Sequence, residues 1–174
     1  MEINLMYRPE ITDKQCEKLS KDLGILICNR NYDGKRWPII KSGGKVLDSS
    51  FSFAKQDPRV KDIATKLKGN VLILGLGFGK AVLYTCENSQ VKSVTVVEKN
   101  EGVIDLFALI NKEMKGKSKL SIIHKDALEY ETKKKFDHVF IDIYHDVTNM
   151  IEYTLTIDKL SETFKKSTIH QIPL

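Results

Sequence analysis

Short apolar runs alternate with helical stripes through most of this chain. Residues 71–74, 93–97 and 120–123 are β-branched or aliphatic runs, and a fourth lies within 136–144. Runs of this length with little internal polarity read as strands buried on both faces. The stretches between them keep helical spacing. Residues 80–88 form one helix. Residues 101–114 form another, with Val103, Phe107, Ile110 and Met114 on one face. Residues 150–164 place Met150, Tyr153, Ile157, Leu160 and Phe164 on one face, and 168–172 read as a fifth strand. Ahead of the first run, Asp57-Pro58 opens a helix with an acidic cap and a proline at its first position. Its apolar face is Val60, Ile63, Ala64 and Leu67. Strands alternating with helices predict a parallel sheet covered by helices on both faces.

The first third has a different pattern. Residues 1–9 read as an irregular arm. Thr12 or Asp13 caps a short helix through Asp22, with Cys16, Leu19 and Leu23 at helical spacing and Gly24 as its stop. Strands are expected over 25–28, 37–40 and 45–47, separated by the turn signals Asp33-Gly34 and Ser42-Gly43-Gly44. The expected division is therefore a helix and antiparallel hairpin extension over 1–56, followed by an α/β domain over 57–174.

Chemistry concentrates where the first strand of that domain ends. Residues 75–79 read Gly-Leu-Gly-Phe-Gly and open directly into a helix. Glycines at a strand-to-helix turn permit positive φ and close approach of backbone to a ligand. The helix start directs free N–H groups at the same place. Glu98 ends the second strand about 20 residues on, where a carboxylate can accept both hydrogen bonds of a ribose diol. A dinucleotide fold wants G-x-G-x-x-G, but here Lys80 stands at the third glycine's place. Asp126 and Asp142 also lie just past predicted strands, and ligands of such sheets bind at the strands' carboxyl ends.

The glycine spacing is similar to that of the class I S-adenosylmethionine (SAM) dependent methyltransferases. More narrowly, the chain resembles their spermidine-synthase-like branch over about 45–145. The residues that carry this are Lys45-Val46-Leu47-Asp48, the run 71–79, Val96-Val97-Glu98, Asp126-Ala127 and Phe136-Asp137 leading to Ile141-Asp142. The resemblance implies a Rossmann-like doubly wound parallel sheet of order 3-2-1-4-5. It implies SAM as cofactor, held by Gly75, Leu76, Gly77, Gly79, Glu98, Lys99, Asp126, Ala127, Asp142 and Tyr144. In that superfamily the loop meets the methionine moiety, the acid the ribose and the later Asp the adenine. Asp142 is the expected catalytic residue, as a base or an orienter of the acceptor. Phe78 stands where aminopropyltransferases carry an Asp, and the fourth strand end lacks both Asp-x-x-Asp-Pro and the Asn/Asp-Pro-Pro-Tyr/Phe of amino-methylating DNA enzymes. The chain stops near the fifth strand, where the superfamily usually continues into a hairpin.

The expected function is therefore methyl transfer from SAM. A non-catalytic SAM-binding protein and an aminopropyltransferase are the alternatives, and a nicotinamide enzyme is a more distant one. A net charge of +5 and pI near 9.0 permit nucleic-acid contact without demanding it. The lysines are dispersed, and the run 133–135 reads as a solvated loop. A small-molecule acceptor is accordingly expected ahead of nucleic acid. Three cysteines without a C-x-x-C pattern read as buried thiols in a reducing, cytoplasmic setting. No signal-peptide core or membrane-length apolar run is seen. Asp142, His145, Asp146 and Asn149 have only loose metal-ligand spacing, and helix capping explains the last two, so no metal is expected. His124, His138 and His170 read as isolated strand-edge residues. Trp37 beside Arg36 reads as hairpin packing. The fifth strand is expected at a sheet edge with backbone groups open to pairing, which favours a twofold dimer.

Overall fold

The computed structural model describes residues 12–23, 26–32, 35–42, 45–49, 58–143 and 150–171. Helix α1 (Asp13–Leu23) precedes three strands, β1 (Leu26–Tyr32), β2 (Lys35–Ser42) and β3 (Lys45–Ser49), which form an antiparallel sheet in that order. The α/β part follows as α2 (Pro58–Lys66), β4 (Gly69–Leu74), α3 (Lys80–Glu87), β5 (Val91–Glu98), α4 (Glu101–Ile110), β6 (Leu120–His124), β7 (His138–Ile141), α5 (Met150–Thr163) and β8 (Thr168–Gln171). Its five strands are all parallel, in the order β6-β5-β4-β7-β8. This is a Rossmann-like α/β fold.

Alternation along β4 divides the core. Val71 and Ile73 point to one face with Val94, Val96 and Phe140, and they meet Val60 and Ala64 of α2, Ala81 and Val82 of α3, and Val103 and Phe107 of α4. Cys16 of α1 and Ile40 of β2 join the same cluster, so the N-terminal elements share this core. Leu72 and Leu74 point to the other face with Val139 and Ile141, beneath Ile157, Leu160 and Phe164. A strand with all of its last four side chains buried needs cover on both sides, and the two clusters provide it. Burial pushes the Cys86 thiol up to about 11, which keeps it a protonated apolar filler.

Three expectations change. The helix from 101 stops at Ile110 rather than 114: Asn111 leaves the helical region at φ of −118° and ψ of 36°, while its backbone N–H and its Nδ2 both donate to the Phe107 carbonyl, at 3.0 and 3.1 Å. The lysine run 133–135 is not solely solvated: Lys134 Nζ donates to buried Thr95 Oγ1 at 2.9 Å and lies 5.3 Å from the Phe136 ring centre. Its aliphatic stem lets a surface residue reach inward. His138 and His170 are not isolated. They lie on neighbouring strands, Nδ1 to Nε2 at 2.9 Å. The predicted turns Asp33-Gly34 and Gly43-Gly44, the Asp57 cap and the 1–9 arm fall outside the described residues, as do the side chains of Cys28, Arg36 and Trp37. Among the described residues no helix is long and apolar enough to cross a membrane.

Asn88 joins elements distant in sequence. Its Nδ2 donates to the Ala64 and Leu67 carbonyls at 2.8 and 2.9 Å, and its Oδ1 accepts from Gln90 N at 2.9 Å. It thus closes the ends of α2 and α3 together before β5 starts. Asn88→Ala removes three bonds, including both that tie α2's carbonyls to the end of α3, so denaturant unfolding should show a loss of about 2–3 kcal/mol.

Candidate functional site

The groups singled out in the sequence gather at the carboxyl ends of β4, β5, β6 and β7. Gly75 leaves β4 with φ of 99°, and its N–H donates to the Val97 carbonyl at 2.9 Å. A Cβ there would collide with the Asp142 carbonyl oxygen. The turn therefore packs backbone against backbone, which only glycine allows at this φ. Gly79 caps α3 with φ of 87° and lies under the Phe107 ring, and its N–H donates to the Leu76 carbonyl at 2.8 Å. Gly77 lies between them, also at positive φ. Leu76 and Phe78 both turn into the core. Phe78 is fully buried, so the position that carries a ligand-facing Asp in aminopropyltransferases is here a core position.

Glu98 is half-buried and holds this loop. Its Oε2 accepts from Leu76 N at 3.0 Å and its Oε1 from Asn100 N at 2.8 Å. Burial raises its pKa above 4.5, against the opposing pull of the Asn100, Leu76 and Lys99 N–H groups and the Lys99 charge. Each oxygen has a second lone pair, so the carboxylate can serve the loop and a further pair of donors together.

The adjoining strand end is tied to it. Lys125 N donates to the Glu98 carbonyl at 3.0 Å, and His124 Nε2 lies 3.1 Å from the Lys99 carbonyl, with the Lys99 side chain exposed. Asp126 Oδ1 accepts from Leu128 N at 2.8 Å and caps a short 3-10 turn over Ala127–Glu129. Ala127 itself is buried in the second core cluster, so its methyl group packs inward. Asp142 follows β7, half-buried, with its N–H on the Leu74 carbonyl at 2.8 Å. Tyr153 of α5 belongs to the same neighbourhood: burial first, then the Asp142 charge, raise its hydroxyl pKa. Tyr144, His145, Asp146 and Asn149 lie outside the described residues. Among the described residues no group of three acidic, histidine or cysteine side chains could hold a metal ion.

Sequence reasoning missed Asn100, His124 and Tyr153. Asn100 had a readable signal, since it caps α4 through Oδ1 and Val103 N at 3.2 Å. His124 faces Glu98 only through strand register, and Tyr153 was legible only as one residue of an apolar stripe. Gly75→Ala would force a side chain against Asp142 at an unfavourable φ. Its unfolding midpoint in denaturant should drop by the equivalent of about 1–3 kcal/mol.

Structural comparison places this arrangement among methyltransferase folds. DhpI bound to S-adenosylhomocysteine superposes with a TM-score of 0.51 at 11% identity, covering 70% of this chain and 57% of that one. The DhpI–SAM–HEP complex gives 0.50 at 14% identity, covering 69% and 54%. The glycopeptide N-methyltransferase MtfA gives 0.50 at 17% identity, covering 64% and 48%. The chain thus spans about half the length of these structures, and at such identities the likeness is one of fold. Nothing among curated proteins matches the sequence. Residues 50–171 match the family described as ribosomal RNA adenine dimethylase. That match overturns the expectation of a small-molecule acceptor ahead of nucleic acid, because the family is defined by an RNA base. It also leaves the spermidine-synthase-like branch without support, in keeping with a buried Phe78. The class I methyltransferase fold stands, and the chain belongs to the ribosomal RNA adenine dimethylase family.

Proposed function

We propose that this chain binds SAM at the carboxyl edge of its parallel sheet and transfers the methyl group to an adenine of RNA. The observation that carries the reading is the pairing of the Gly75–Gly79 turn with a half-buried Glu98 that retains acceptor capacity. Glu98 takes the ribose diol, and the turn gives the methionine moiety a backbone surface. Asp126 and the backbone around Lys99 and Ala127 border the adenine of the cofactor. Asp142, beside Gly75, faces the acceptor, and Tyr144 follows it in sequence.

The family name narrows the acceptor chemistry. An adenine that takes two methyl groups takes them on its exocyclic amine, the one nitrogen with two replaceable hydrogens. Its lone pair attacks the sulfonium methyl in line. Bound SAM would supply the methyl group: a C–N bond would form, the C–S bond would break with its electrons returning to sulfur, and the amine's proton would pass to solvent. The chain's task is orientation and a suitable field. Asp142 accepts a hydrogen bond from the amine and fixes its direction. A base inside a helix cannot reach such a site, so an unpaired or flipped adenine is the substrate form.

A second reading, SAM binding without transfer, has one specific observation behind it. The fourth strand end reads Asp142-Ile143-Tyr144-His145, without the Asn/Asp-Pro-Pro-Tyr/Phe of amino-methylating DNA enzymes. Calorimetry with SAM and a labelled-methyl assay on adenine-containing single-stranded RNA separate the readings. Binding with transfer that falls in Asp142→Ala supports catalysis; binding without transfer supports the second reading; no SAM binding sinks both.

Glu98 makes a pH prediction. Its pKa in the free protein is raised by burial. Its contribution to folding is therefore full below 4.5 and is lost as pH rises through the raised value. Ribose donors favour the ionised form, so SAM affinity should rise over that same window. Glu98→Gln should flatten this dependence and weaken binding by about 1.5–3 kcal/mol, roughly ten- to a hundredfold in Kd by calorimetry.

A further inference from the structure

The opposite end of the sheet carries a pair of histidines that the proposed reaction does not use. His138 opens β7 and is 8% exposed. His170 is on the edge strand β8, two positions past the residue paired with His138 and on the same face. The two rings face each other at 5.2 Å between centres, tilted by 32°, with Nδ1 of His138 and Nε2 of His170 2.9 Å apart. At that distance one nitrogen must donate and the other must offer a lone pair. One proton between the two nitrogens makes a bond. A second places two N–H groups and two charges face to face.

The surroundings do not relieve that second charge. Lys66, ending α2, bears on His170, and Lys68 bears on His138. Among the described residues Asp137 is the one acidic group acting on the pair. Its Oδ2 is already engaged by Asn70 N at 2.7 Å. The same two lysines disfavour a bound cation here. Burial is the first cause lowering both histidines below 6.5. The Lys68 charge works with it at His138 against Asp137, and the charges of His138 and Lys66 work with it at His170.

We propose that the His138–His170 pair is an acid-sensitive latch, which holds the edge strand β8 on β7 while the pair keeps a free lone pair and releases it when both rings are protonated. β8 depends on this contact more than an inner strand would, because it is four residues long and β7 is its one partner in the sheet. Its other anchors are the backbone ladder to β7, Ile169 against the second core cluster, Thr168 N donating to the Asp137 carbonyl at 3.0 Å, and Ser167 Oγ donating to the Phe136 carbonyl at 2.8 Å. The sign follows from the lowered values. The pair's stabilising effect is full above 6.5 and is lost as pH falls through the folded values.

Amide hydrogen exchange on the full chain between pH 7.5 and 5 tests this. After correction for intrinsic rates, opening that takes up one to two protons should raise exchange of the Thr168 and His170 amides, the ones that face β7, by about ten- to a hundredfold per pH unit below 6.5. The Leu72 and Val96 amides should stay protected. His170→Gln keeps a hydrogen-bonding side chain that does not titrate in this range, so the acid response of β8 exchange should shrink to at most the one proton that buried His138 takes up. Equal acid sensitivity in wild type and variant, or none in either, overturns the latch. If the variant does not fold, imidazole titration in the wild type decides. Two coupled steps below 6.5 support the latch, and two independent titrations near 6.5 refute it.

Discussion

Strand β4 is bonded on both edges and buried on both faces, and the rest of the domain is placed by that constraint. A backbone with no contact to water must find every partner within the sheet, so β5 and β7 must flank it in register. Its alternating side chains then separate two apolar clusters, each of which must be covered by helices. Parallel strands joined through helices all end at one edge. The turn after β4, the acid after β5, Asp126 after β6 and Asp142 after β7 meet there because topology allows no other place.

At that edge the backbone does much of what side chains do in other sites. Gly75 lies against the Asp142 carbonyl, Gly79 lies under Phe107, and Glu98 joins Leu76 to Asn100. The carboxylate that would hold a ribose also holds the loop that would face the methionine moiety. Ligand binding and loop geometry are therefore one network, and a change in Glu98 acts on both. In the free state burial raises the pKa of this acid, and the N–H groups it holds oppose that rise.

The two ends of the sheet divide their chemistry. The carboxyl end carries the groups assigned to cofactor and acceptor. The amino end carries His138, Asp137 and the lysines at the close of α2, with His170 reaching His138 from the third position of β8, and no step of methyl transfer is placed there.

Much of this was legible in the sequence. The run 71–74, the glycine spacing, Glu98 and the alternation of strands with helices specified the fold class and the edge that bears the site, because local sterics and burial on both faces leave few other solutions for such a pattern. Asp57-Pro58 likewise marked where α2 begins. What tertiary structure decided were the contacts between residues far apart in the chain. Phe78 faces the core rather than a ligand, Asn111 ends α4 early, Lys134 reaches Thr95, and His138 meets His170 across 32 positions. None of these has a local signature. Each depends on strand register and helix packing, and one-residue shifts in register would turn every such side chain to the other face.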